Sequence, residues 1–183
     1  MIRILFFGEI AKVSSLRGRV TPSTTLRCIR ISDELVKRGL SSNVRYCTIR
    51  DYQENIRAIR SSDLVVFHRI QFPLAKGPEP ATELFLQLST KANEKKTVFD
   101  IDDSIFLNYP ILTELFMKRS DLVTAGSHQL YDFAKGWNRN VELLPTSVDT
   151  SSFTPELTKR NGSQSIVLGW HGTAYVQRQN LQL

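Results

Sequence analysis

The 183-residue sequence predicts an α/β fold, a parallel sheet flanked by helices. Three observations carry that prediction. Apolar runs of strand length recur at 2–7, 44–49, 64–67, 97–101, 122–125 and 141–144. Helical patterns fall between them. Each helical segment leads into another strand, the alternation that a parallel sheet requires.

The first run reads as a strand because Gly8, Glu9 and Lys12 follow it at once. It is far too short for the core of a signal peptide, so a cytoplasmic location is expected. A first helix is expected from an N-cap at Thr24 or Thr25, with Cys28, Ile29, Ser32, Leu35, Val36 and Gly39 on one face. Gly39 suits its C-terminus. Further helices are expected at 53–60, 81–92, 111–119 and 127–137, the last capped by Ser127. Pro73, Gly77, Pro78 and Pro80 make 71–80 a surface loop.

The polar stretch 154–164, with Pro155 and Gly162, reads as a linker between a first domain, 1–153, and a further segment, 165–183. That segment offers one strand, then His171, Gly172 and Thr173, then the start of a helix. A strand and half a helix cannot bury their apolar faces alone, so 165–183 is expected to open a second domain that the chain does not complete.

Composition narrows the function classes. No segment reaches the apolar length of a membrane span. Cys28 and Cys47 sit in no metal-ligand spacing, which leaves two thiols expected to be reduced and buried. The formal charge of +6 favours anionic partners. The basic pairs Lys37 and Arg38, Lys95 and Lys96, Lys118 and Arg119, and Lys159 and Arg160 are scattered, and they read as solvated or helix-terminal charges.

Ligands of open parallel sheets bind at the carboxyl ends of the strands, so the polar residues that follow each strand are the candidates. Gly8 follows the first without the companions of a dinucleotide fingerprint. Arg17, Gly18 and Arg19 can hold a phosphate or form a charged loop, the commoner case. His68, expected to be structural, and Arg69 end the third strand, and Gly126, Ser127 and His128 follow the fifth. The densest signal is Asp100, Asp102 and Asp103, which repel one another unless a cation or hydrogen-bond donor meets them. Asp102 or Asp103 can cap the following turn. Binding of a ligand hydroxyl by at least one of the two is favoured.

Three chemistries fit this cluster. Asp100 and Asp102 resemble the D-x-D metal clamp of single-domain glycosyltransferases. The segment 99–104 also resembles the first motif of haloacid-dehalogenase-like phosphatases, with Asp100 as nucleophile and Asp102 as general acid. That motif normally opens its domain, and here no downstream acidic pair completes a magnesium site.

The third reading rests on several segments taken in order. They are 2–6, Leu26 and Arg27 with 35–39, 62–67, 98–106, 120–127, and 144–149 with Phe153 and Pro155. Together they resemble the N-terminal domain of family 4 (group 1) GT-B-fold glycosyltransferases, and 166–173 resembles the first strand and loop of that family's second domain. The most specific parts are the Ser127 helix entry and the Pro145-to-Asp149 turn.

The resemblance implies a Rossmann-like acceptor-side domain and a donor-side domain. It implies transfer from a nucleotide sugar to a carbohydrate or lipid-linked acceptor, retaining, with no metal and no cofactor beyond the co-substrate. Asp102 and Asp103 would be catalytic. Gly8, Arg69 and Ser127 would border acceptor and sugar, and His171, Gly172 and Thr173 would approach the donor diphosphate. Peripheral membrane contact is compatible with this reading, and nucleic acid is not expected as a partner. The family's paired-glutamate donor motif lies beyond this chain, so transfer by these residues alone is not expected. A non-enzymatic Rossmann-like binding module is the remaining alternative.

Overall fold

A computed structural model of the chain describes residues 1–8, 20–46, 52–69 and 95–154. The expected loop at 71–80, the helix at 81–92, the linker, the segment 165–183 and the residues Arg17, Gly18, Arg19 and Cys47 lie outside the described residues. The chain divides into two compact units, Met1–Val148 and Asp149–Leu183. Of the second, 149–154 is described. There Asp149 accepts hydrogen bonds from the Ser151 amide at 3.0 Å and from the hydroxyls of Ser151 and Ser152 at 2.6 and 2.7 Å.

The first unit is a six-stranded, all-parallel sheet with helices between the strands, a Rossmann-like α/β arrangement. Its strands are β1 (Arg3–Gly8), β2 (Ser41–Tyr46), β3 (Leu64–His68), β4 (Lys96–Ile101), β5 (Leu122–Ala125) and β6 (Val141–Leu143). They lie in the order β2-β1-β3-β4-β5-β6. The chain therefore reverses its direction of travel across the sheet between β1 and β3. That reversal opens a crevice at the carboxyl ends of those two strands. The second strand begins three residues before the expected 44, because Ser41 to Asn43 pair with Arg3 to Leu5 despite their polarity.

The helices are α1 (Pro22–Thr24), which runs through a wider turn (Thr25–Ile29) into α2 (Arg30–Lys37), then α3 (Tyr52–Arg60), α4 (Pro110–Arg119) and α5 (His128–Lys135). A short 3-10 turn, Ile105–Leu107, precedes α4. The cap of the first helix is Thr21, not Thr24 or Thr25. Its hydroxyl accepts the Thr24 amide, and Pro22 at the first helical position favours an entry one turn earlier. At the other end Gly39 has φ +82°, with its amide on the Val36 carbonyl and the Leu40 amide on Leu35. Those two bonds form a Schellman closure, which requires the left-handed conformation glycine tolerates. Val36 is 52% exposed, so the buried stripe of α2 is narrower than its sequence pattern implied.

Strand alternation sorts the core into two layers. Odd-numbered residues, among them Phe7, Phe67, Phe99 and Val123, face α3, α4 and α5 and form the larger apolar cluster. Phe67 and Phe99 pack on Phe116 of α4 at ring-centroid distances of 5.3 and 5.1 Å. Even-numbered residues, Phe6 and Val66 with Val98, meet Cys28 and Leu35. Toward the carboxyl ends of the strands this second layer turns polar, at His68, Asp100 and Thr124.

Candidate functional site

Register alone brings that polar group together. His68 pairs with Asp100 across β3 and β4, and Asp100 pairs with Thr124 across β4 and β5. Paired residues of a parallel sheet put their side chains on the same face, here under the turn that carries Arg27. Arg27 is 4% exposed and Asp100 5%.

Asp100 is fully engaged. Its Oδ2 accepts from Arg27 Nε at 2.8 Å and from His68 Nδ1 at 2.7 Å. Its Oδ1 accepts from Thr124 Oγ1 at 2.6 Å and from Arg27 Nη2. Burial alone would push this carboxyl up. The hydrogen bonds and charges of Arg27 and His68 outweigh that and hold it at about 2. Arg27 Nη1 also donates to the Leu144 carbonyl at 2.9 Å and to Thr146 Oγ1 at 3.1 Å, which ties β6's exit to the cluster.

Asp102 lies one step nearer the edge. Its Oδ2 accepts from Ser23 Oγ, and Ser23 Oγ stands 2.9 Å from His68 Nε2. Its Oδ1 faces Arg69 Nε at 3.3 Å as an ion pair, and neither atom makes a hydrogen bond to the described residues. Arg69 also donates to Asp103 at 3.1 Å. The two ion pairs hold Arg69 at φ +43°, a left-handed conformation that a non-glycine residue seldom adopts without such support.

Two glycines let the backbone close on this site. A Cβ on Gly126 would stand 2.9 Å from the Asp102 Cα. A Cβ on Gly8 would stand 2.3 Å from Thr24 Cγ2. Gly8 is buried at the end of β1, and the observed use of its bare backbone is to admit α1.

The sequence-based candidates divide accordingly. Gly8 ends β1, and Arg69, Asp102, Asp103 and Ser127 follow strand ends on the same edge of the sheet. The Ser127 hydroxyl caps α5 by accepting the Leu130 amide at 3.3 Å. Asp103 accepts the Ser104 amide at 2.8 Å and so supports the turn that follows. His171, Gly172 and Thr173 lie outside the described residues.

Sequence reasoning missed Ser23 and the role of Arg27, and it read His68 as a satisfied structural residue without finding its partners. One signal was available. Asp100 shares strand parity with the apolar Val98, which is partly buried, and a carboxylate on an inward face demands a buried cation.

No protein-family model, no curated protein and no solved structure matches this chain. Among the described residues no helix is long and apolar enough to cross a membrane.

Proposed function

We propose that residues 1–153 are the acceptor-side domain of a retaining, metal-independent glycosyltransferase that uses a nucleotide sugar. In this reading the donor is held by a second domain that begins near residue 165. The observation that carries the reading is Asp102, a carboxylate at the carboxyl edge of the sheet whose Oδ2 accepts from Ser23 and whose Oδ1, buried and ion-paired with Arg69, makes no hydrogen bond to the described residues and so keeps an acceptor position that a ligand hydroxyl reaching under Arg69 would fill. A carboxylate held this way can accept a proton or hydrogen bond from a sugar or acceptor hydroxyl. Its place next to the crevice between β1 and β3 is where open α/β sheets bind ligands. The ordered segments from β1 to the Pro145-to-Asp149 turn supply the family resemblance.

The phosphatase alternative loses ground on one observation. Its nucleophile would be Asp100, whose oxygens are both occupied by Arg27, His68 and Thr124. A nucleophilic carboxylate needs an oxygen free to attack phosphorus.

The test is calorimetry of a panel of nucleoside-diphosphate sugars on the chain extended past Leu183. The reading expects one donor to bind saturably and to release its nucleoside diphosphate when an acceptor is added. Failure of every donor to bind would overturn it.

A further inference from the structure

We propose that Ser23 is a positioning residue, a hydrogen-bond switch through which the protonation of His68 sets the orientation of the Asp102 carboxylate. The inference rests on the glycosyl-transfer reading only for what Asp102 faces.

The switch follows from counting hydrogens. Asp100 is fixed by Arg27 and Thr124, so it accepts from His68 Nδ1 and turns Nε2 toward Ser23 Oγ at 2.9 Å. Ser23 Oγ is in hydrogen-bond contact with Asp102 Oδ2 as well. A hydroxyl carries one hydrogen and two lone pairs. When the ring carries both protons, Nε2–H donates to Ser23, and the Ser23 hydrogen serves Asp102. When Nε2 is bare, it competes for that same hydrogen, and Asp102 Oδ2 is left facing a lone pair.

The groups facing the ring and its partners are Asp100 from β4, Asp102 and Asp103 after it, Arg69 after β3, and Arg27 with Cys28 above the sheet. With the ring doubly protonated, two arginines and an imidazolium face three carboxylates. Asp102 is then held with Oδ2 on Ser23 and Oδ1 beside Arg69. Loss of the ring proton releases the carboxylate from Ser23.

The test follows the Asp102 carboxyl carbon and the His68 ring nitrogens by NMR against pH, in the 183-residue chain without substrate. The Asp102 signal is expected to step at the pH where the His68 ring loses its proton. Ser23→Ala should remove most of that step, and Ser23→Thr, which keeps the hydroxyl, should restore it. If Ser23→Ala does not fold, His68→Gln replaces it and should abolish the step. A step of undiminished size in Ser23→Ala or His68→Gln, or no step in the native chain, overturns the proposal. The readout needs no sugar, so a native step alongside a failed donor panel would sink the transferase reading and leave the switch standing.

Discussion

At the residue scale the decisive pair is Arg27 with Asp100, which is buried and satisfied on every side. Removing one partner of such a pair leaves an uncompensated charge in a low-dielectric interior. Arg27→Ala is therefore expected to destabilise the fold by about 3–5 kcal/mol, read as a lower urea midpoint. Acid should expose the same pair. The folded carboxyl of Asp100 sits at about 2, below its ordinary unfolded value. Its contribution, about 2 kcal/mol, is complete above about pH 4 and drains away as the pH falls toward the folded value. Urea midpoints taken down through that window should fall for the native chain and fall less for Asp100→Asn. Burial first, and then the charge of Asp100, pushes the Cys28 thiol up. Cys28 should resist a thiol-directed reagent until the chain is unfolded, as peptide mass spectrometry after labelling would record. At this scale the sequence was only partly legible. Asp100, Asp102 and Asp103 stood out as a cluster, but Arg27 lies 73 residues from Asp100 and Ser23 lies 79 from Asp102. Contacts so distant depend on strand order, which local pattern does not encode.

At the element scale, strand ends and helix starts position the chemistry. Gly126 lets the β5 exit pass the backbone of Asp102, with the Gly126 amide donating to the Ile101 carbonyl at 2.7 Å. Gly126→Ala would drive a methyl against backbone atoms that cannot swing aside. It is expected to displace Asp102 and to cost on the order of 1–3 kcal/mol of stability. Chemical-shift changes centred on 101–104, with a lowered urea midpoint, would check this. Ser127→Ala should cost about 1 kcal/mol through the lost cap of α5, whatever else Ser127 does. The helix at 111–119, the Ser127 cap and the Gly39 closure were readable because each has a local cause, in a proline at the helix start, hydroxyl capping or a left-handed glycine. The N-cap was misplaced because three threonines, Thr21, Thr24 and Thr25, compete at one helix start, and Pro22 decided among them. The start of β2 was missed because Ser41 to Asn43 gain their strand conformation from pairing with β1, without an apolar pattern.

At the scale of the whole molecule, strand alternation separates a large apolar layer from a smaller one that becomes ionic at the carboxyl edge. The parallel α/β class was legible because buried strands and intervening helices leave periodic marks. The order β2-β1-β3-β4-β5-β6, and with it the site beside the β1–β3 reversal, was not. The proposed service of Asp102 in glycosyl transfer at that edge has a kinetic consequence. The rate of sugar transfer from the bound donor should be compared for the native protein, Asp102→Asn and Asp102→Glu, using the chain extended past Leu183. Asp102→Asn is expected to transfer at least about 100-fold more slowly while still binding the donor, as for the loss of a proton-accepting carboxylate. Transfer by Asp102→Asn at the native rate would rule out a role for this carboxylate in the reaction.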